Sequence, residues 1–262
     1  MFIEERHQAI LDWLEEKGSI SNTDIQENFG VSYDSAKRDL RILEEKGLLK
    51  RTHGGALPLR QIATGRPAKV TCKEMSSVKE NYWEIAKEAV SMIQNNDVVY
   101  IPSASVGFFM VQNIPDTLKI RVVTNSIVIA EELRKKDNIR VIMLGGEMDD
   151  KGNCYDTIAV ETIKRLRFDK CFLTSACISA DFGLSIQKTQ AISFWNALID
   201  SSKQTIGLYP KEKIGFDSIV SICPASRLDT LISDWDASEE DLKKFDELGI
   251  NVLVVDKPED EE

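Results

Sequence analysis

Long apolar runs are missing from this sequence: no stretch nears the roughly 18 consecutive apolar residues of a membrane-spanning helix. Histidine is scarce, with only His7 and His53, which excludes a histidine-rich metal centre. The five cysteines (Cys72, Cys154, Cys171, Cys177 and Cys223) are odd in number, scattered, and form no CxxC pair. That spacing argues against a disulfide framework or a zinc ribbon and leaves them as small buried hydrophobes. A basic leader followed by an apolar block is absent too. The opening stretch, MFIEERHQAILDWLEEKG, is acidic and amphipathic. The chain is therefore expected in the cytoplasm, off the membrane, with neither metal nor cofactor.

What is present is enough apolar material for a packed core: 42% of the 262 residues are hydrophobic and 29% are charged. The length fits a small domain plus a larger one. The net charge of −10 at first disfavours nucleic acid, but its distribution matters more than its sum. Residues 1–70 carry 11 Lys/Arg against 11 Asp/Glu, whereas residues 71–262 carry 22 against 32 and hold the whole −10. Between Ser35 and Arg60, Lys37, Arg38, Arg41, Lys46, Lys50, Arg51 and Arg60 face only Asp39, Glu44 and Glu45. A local basic patch of this kind is what decides phosphate binding.

Apolar spacing predicts a first helix from residue 3 to Lys17, stopped by Gly18, with His7 on its packed face. A second short helix follows Ser21-Asn22, carries Ile25 and Phe29 inward and is broken by Gly30. Ser32 is placed to cap a third helix by accepting a hydrogen bond from an unpaired backbone N–H. On that helix Ala36, Leu40 and Leu43 form a buried stripe, and Asp34, Lys37, Arg38 and Arg41 lie on the opposite arc. A recognition helix needs this division, one face anchored and one in the major groove; an ordinary charged surface helix would show it as well. Leu48 to Thr52 then reads as a strand, Gly54-Gly55 as a turn with positive φ, and Ala56-Leu57 as the return. A helix-turn-helix followed by a basic hairpin is a winged helix, with Lys50, Arg51 and His53 on the wing.

The run ERHQAIL and the later VSYDSAKRDLRILEEKGLLKRTHGGAL closely resemble the N-terminal domain of DeoR-type bacterial transcriptional regulators. Ser35 stands where that family usually has Thr, and Lys37 where it usually has Arg. The resemblance implies DNA contacts from Ser32, Tyr33, Ser35, Lys37, Arg38, Arg41, Lys50, Arg51 and His53, a double-stranded operator as partner, and repression as the output. Lys is less suited than Arg to bidentate contact with guanine.

Residues 58–77, with two prolines and a glycine, read as a linker, leaving 1–57 as the DNA-binding domain and 78–262 as the body. In the body, short apolar runs (DVVYIP, KIRVVT, IRVIML, DKCFLTS, QTIGLY, DSIVSIC, TLIS, NVLVV) alternate with amphipathic segments such as KENYWEIAKEAVSMI. That alternation predicts an α/β fold with a mostly parallel sheet covered on both faces. Ligands of such sheets bind at the C-terminal strand ends. VVTNS (122–126), LGGE (144–147) and LISDW (231–235) continue the resemblance, here to the family's sugar-phosphate-sensing domain, similar in fold to ribose-5-phosphate isomerase and CoA transferases. It implies an effector site at Ser103, Ala104, Ser105, Thr124, Asn125, Gly145, Gly146 and Lys213. From the residues alone, Asn125 could equally be capping a helix and the glycines merely turning.

Three loops depart from the family pattern. The usual DxGTT-like loop reads Pro102-Ser103-Ala104-Ser105-Val106, FLGADGID becomes Phe172 to Ser179 without its two acids, and DSSK becomes Pro210-Lys211-Glu212-Lys213. Carboxylates that would bond sugar hydroxyls are gone, while Ser103, Ser105 and Lys213 remain for an anion. The expected protein is thus a DNA-binding regulator, modulated by a phosphorylated metabolite or other small anion and assembled as a homodimer or homotetramer. Two alternatives are a regulator whose body serves only assembly, and an isomerase-like enzyme. The enzyme reading lacks the carboxylate base that aldose–ketose chemistry requires.

Overall fold

A computed structural model describes residues 3–17, 19–46, 48–52, 54–58, 80–187 and 189–258. The chain divides into two compact units, residues 1–64 and 65–262, each considered by itself below. His53, Cys72, most of the expected linker and the last four residues lie outside the described residues.

The first unit holds helices α1 (Ile3–Lys17), α2 (Asn22–Phe29) and α3 (Tyr33–Glu45), with strands β1 (Ile20–Ser21), β2 (Leu49–Arg51) and β3 (Gly55–Pro58). Ser21 starts α2 through a capping box: its hydroxyl accepts from Asp24 N, and the Asp24 carboxylate accepts from Ser21 N. Two otherwise unpaired helix-end groups are satisfied at once. Gly30 ends α2 at φ +62°, a left-handed setting that glycine adopts without steric cost. Ser32 then caps α3, accepting from Ser35 N. Ile10, Leu14, Ile25, Ala36, Leu40, Leu43 and Leu49 form one buried cluster between the helices and the small sheet.

That sheet runs β1-β3-β2, all antiparallel. The expected positive φ at Gly54-Gly55 is not found: neither glycine is among those with left-handed backbone. Gly55 matters for another reason. A Cβ there would overlap the carbonyl oxygen of Ile20, because β3 is the central strand and β1 closes over it. The sequence reading treated the wing as a two-stranded hairpin and so overlooked β1.

The second unit is built on a seven-stranded parallel sheet ordered β13-β12-β10-β7-β4-β5-β6. Its strands are β4 (Val98–Tyr100), β5 (Ile120–Thr124), β6 (Ile139–Met143), β7 (Phe168–Leu173), β10 (Ser202–Leu208), β12 (Thr230–Asp234) and β13 (Asn251–Val255). Helices α4 (Glu80–Ser91), α5 (Ser105–Asn113), α6 (Ile127–Leu133), α7 (Thr157–Lys164), α8 (Ile192–Asp200) and α9 (Glu239–Glu247) accompany it. The two large buried clusters hold different strand side chains, Tyr100, Val123 and Cys171 in one and Val99, Val122 and Phe172 in the other. Side chains alternate across a strand, so these clusters lie on opposite faces of the sheet. Cys154, Cys171, Cys177 and Cys223 are all buried, and burial pushes the Cys223 thiol up to about 11.

One apolar run was misplaced. DSIVSIC forms β11 (Val220–Cys223), which lies outside the parallel sheet. It pairs antiparallel with β9 (Gly183–Ile186), and β9 in turn with β8 (Cys177–Ser179). Apolar content marks a buried strand but carries no direction of pairing, and three- or four-residue strands give too short a period to read.

Candidate nucleic-acid interface and effector pocket

On α3 the inward positions are Ala36, Asp39, Leu40 and Leu43, and Tyr33, Asp34, Lys37, Arg38 and Arg41 are exposed. Tyr33, at the first turn, leaves 45% of its surface in solvent. Ser35 is half-buried, its hydroxyl 2.9 Å from that of Ser32. The acidic residues that offset this basic arc are largely engaged. Asp39 turns into the unit and is held by Arg6, with Nε at 2.7 Å and Nη2 at 3.1 Å, and by His7 Nε2 at 3.1 Å. The hydrogen bond to Asp39 raises the Arg6 pKa above its usual value. Glu44 accepts from the backbone N–H of Arg51 at 3.0 Å and lies 3.7 Å from its guanidinium, tying the wing to α3. Arg41 has a loose i,i+4 neighbour in Glu45 at 3.8 Å, a contact of little energetic weight at the surface. Lys50 on β2 is exposed. His7 was expected as a packed core residue. It is buried, and its ring also makes a polar contact that the apolar pattern does not disclose.

In the second unit the strand order reverses between β4, whose successors run outward through β5 and β6, and β7, whose successors run the other way. Loops diverge at such a point and leave a crevice at the carboxyl ends of the strands. The expected effector residues lie at or just beyond the carboxyl ends of β4, β5, β6 and β10. Ser103, Ala104 and Ser105 are half-buried. Ser103 Oγ lies 2.8 Å from Tyr155 OH, and Ala104 heads α5 without a side-chain cap. Across the switch point, Lys213 Nζ donates to Thr174 Oγ1 at 3.0 Å. Ser175, next along the β7 loop, shares a 2.8 Å hydrogen bond with Tyr209 OH.

Thr124 and Asn125 are fully buried. Asn125 Oδ1 accepts from Tyr100 OH at 2.8 Å and Nδ2 donates to Cys154 O at 3.1 Å. Asn125 does not cap α6; Ser126 holds that position. Its amide stands behind the crevice and fixes the loop that carries Tyr155. Burial raises the Tyr155 pKa, opposed by its hydrogen bonds with Ser103 and Asn125, so the phenol stays protonated at neutral pH.

Gly145 and Gly146 are exposed, with Gly146 at φ +145°. A Cβ on Gly146 would collide with the carboxylate of Asp156. That carboxylate accepts from Glu147 N at 2.7 Å and from Ala159 N at 3.0 Å. Both bonds hold its pKa below the usual range. The glycine turn therefore already cradles an anion, one from its own chain. Asp234, at the end of β12, is consumed in a similar way: it accepts from Lys211 N, Asn81 Nδ2 and Asp236 N. Sequence reasoning missed Tyr155, Thr174, Asp156 and the Arg6–Asp39 pair. Asp156 caps α7 locally through Ala159, three residues on, but the other partners are 9 to 52 residues away, beyond any local pattern.

One lysine and several hydroxyls at these strand ends, beside the start of α5, which has no side-chain cap, are groups that suit an anion. Among the described residues, no helix is long and apolar enough to cross a membrane, and no cluster of three or more His, Cys, Asp or Glu is arranged to hold a metal.

Residues 6–61 match the DeoR-like helix-turn-helix domain and residues 79–235 the DeoR C terminal sensor domain. The chain is 25% identical to the transcriptional regulator GolR of Listeria innocua, over 98% of this chain and 100% of that protein. It is 28% identical to the transcriptional repressor GlcR of Bacillus subtilis, over 99% of each. Among solved structures, ribose 5 phosphate isomerase A from Neisseria gonorrhoeae covers 52% of this chain and 54% of its own at 15% identity, with a TM-score of 0.38. The chain belongs to the DeoR family of helix-turn-helix transcriptional regulators.

Proposed function

We propose that this regulator represses transcription in the cytoplasm by placing α3 in the major groove of a two-fold operator, and that an anionic metabolite in the switch-point crevice modulates it. The observation that carries the DNA half is the partition of α3. Its apolar stripe and Asp39 face inward, and Lys37, Arg38 and Arg41 are exposed on the opposite arc, where base edges would meet them. Ser32, Tyr33 and Ser35 sit at its leading end, where phosphates flank the groove, Lys50 and Arg51 belong to wing strand β2, and His53 adds a third contact in the proposal from the sequence just beyond it. Arg38 faces outward and takes no part in the core, so Arg38→Ala keeps the fold. It is expected to lose about 1–3 kcal/mol of operator affinity, roughly 5- to 150-fold. Fluorescence anisotropy on a selected operator measures this, and unchanged binding by Arg38→Ala and Arg41→Ala together removes α3 from the groove.

The effector half rests on Ser103, Ser105, Tyr155, Thr174 and Lys213 around the crevice, with Ala104, Thr124, Asn125, Gly145 and Gly146 shaping the loops. Carboxylates suited to sugar hydroxyls are replaced or internally bonded, which favours a compact phosphorylated or carboxylated metabolite. A body kept for assembly alone fits less well, since hydroxyls and a lysine still converge there. The short footprint of one recognition helix favours a dimer or tetramer, because paired half-sites multiply affinity.

A further inference from the structure

Asp39 lies between Arg38 and Leu40 on α3, yet its side chain is 3% exposed. Its two oxygens receive three contacts, all from α1. Arg6 forks onto both of them, at 2.7 Å and 3.1 Å, and His7 Nε2 reaches Oδ1 at 3.1 Å. An ionised carboxylate only accepts, so His7 presents its N–H at Nε2. The apolar contacts of Ala36, Leu40 and Leu43 have no directional preference. A planar guanidinium on a carboxylate does, and His7 adds a third point. Three points resist rotation of α3 about its own axis. Turning a helix of about 10–12 Å diameter by roughly 20° moves its outer atoms by about 2 Å. That displacement breaks a hydrogen bond to a base edge.

We infer that Arg6, His7 and Asp39 form a positioning clamp that sets the rotation of α3, and with it which base edges Lys37, Arg38 and Arg41 address. None of the three touches DNA in this arrangement; they act on sequence discrimination through the helix they hold. The inference rests on α3 being the recognition helix.

The test uses the full chain and two duplexes, an operator selected with the wild-type protein and a scrambled sequence of equal length. In Arg6→Met/Asp39→Leu the buried pair gives way to apolar side chains of similar volume, an exchange that often leaves stability unchanged or improved. The expected result is a melting temperature within a few degrees of wild type, scrambled-duplex affinity within about twofold, and operator affinity lower by tenfold or more. Arg6→Lys keeps the charge but loses the fork, and is expected to fall between. If the double variant does not fold, Arg6→Lys and Asp39→Asn are measured well below their melting temperatures. An unchanged ratio of operator to scrambled affinity in folded variants overturns the clamp. Arg38→Ala separates the two claims. If it leaves operator binding intact, the reading of α3 fails. If it abolishes discrimination while the clamp variants retain it, the clamp alone fails.

Discussion

Arg38 and Lys50 both carry a positive charge into solvent, but they stand on different supports. Arg38 projects from the middle of a helix, and the proposal gives it a base edge. Lys50 projects from a short strand, and the proposal gives it phosphate, which is the same in every sequence. Lys50→Ala should therefore weaken operator and scrambled duplexes alike and lower the slope of log affinity against log salt by about one. A salt titration of both duplexes checks this, and a loss confined to the operator moves Lys50 to a base edge. Asn125 offers a test on the buried side. With Ala in its place, Tyr100 OH and Cys154 O lose their partners inside the unit. A buried polar group left unpaired costs about 1–3 kcal/mol, so Asn125→Ala should melt several degrees lower even without ligand. At this scale the outward cations could be read from the helical period. The inward Asp39 could not, because position fixes which face a residue is on, not which distant side chain meets it there.

Among the elements, the small sheet gives the sharpest contrast between neighbouring residues. A Cβ on Gly54 would meet nothing within 4 Å, and its backbone is not left-handed, whereas a side chain on Gly55 would strike the backbone of β1. Gly54→Ala should be silent in thermal melts. Gly55→Ala should separate β1 from β3, destabilise the first unit and weaken every duplex. Equal effects at the two positions would restore the turn-based reading of the pair. In the second unit, Asp156 joins the start of α7 to the glycine turn. Its folded-state pKa is depressed, so its contribution is present at neutral pH and fades as pH falls through the ordinary carboxylate value, near 4, toward the depressed one. Asp156→Asn should melt below wild type at pH 7, with the gap closing in acid. Helix starts and stops were legible because caps and glycines act within three or four residues. The parallel sheet was legible from alternation over its length. The β8–β9–β11 sheet was not, since strands this short hold no more than two residues per face, and β11 reaches β9 from more than 30 residues along the chain.

For the whole molecule, charge and ligand choice are linked. The body carries the entire net −10, so it repels DNA at long range and leaves the first unit to make contact. The proposed two-fold assembly would then strengthen binding by pairing two first units on one operator. Light scattering should give a mass of at least two chains at the concentration that shifts operator DNA. With Asp156 and Asp234 already bonded internally and the usual loop acids replaced, common hexose and pentose phosphates are expected to bind weakly and not to release the operator at millimolar concentration. Calorimetry and gel shifts with a panel of such compounds decide it. Tight binding of an ordinary sugar phosphate, lost in Lys213→Ala, would show that hydroxyls and the lysine suffice.

The strand order carries a consequence in time. β4, β5 and β6 come from one continuous stretch, Val98 to Met143, whereas the strand that pairs with the other side of β4 begins only at Phe168. Translation proceeds at about 5–20 residues per second, so during synthesis the inner edge of β4 waits several seconds for its neighbour. That edge is the line along which the crevice later opens. A newborn chain is thus exposed longest to mispairing along the edge where the proposed ligand site forms, and a small molecule bridging the β4 and β7 loops would fasten the two halves of the sheet together across it.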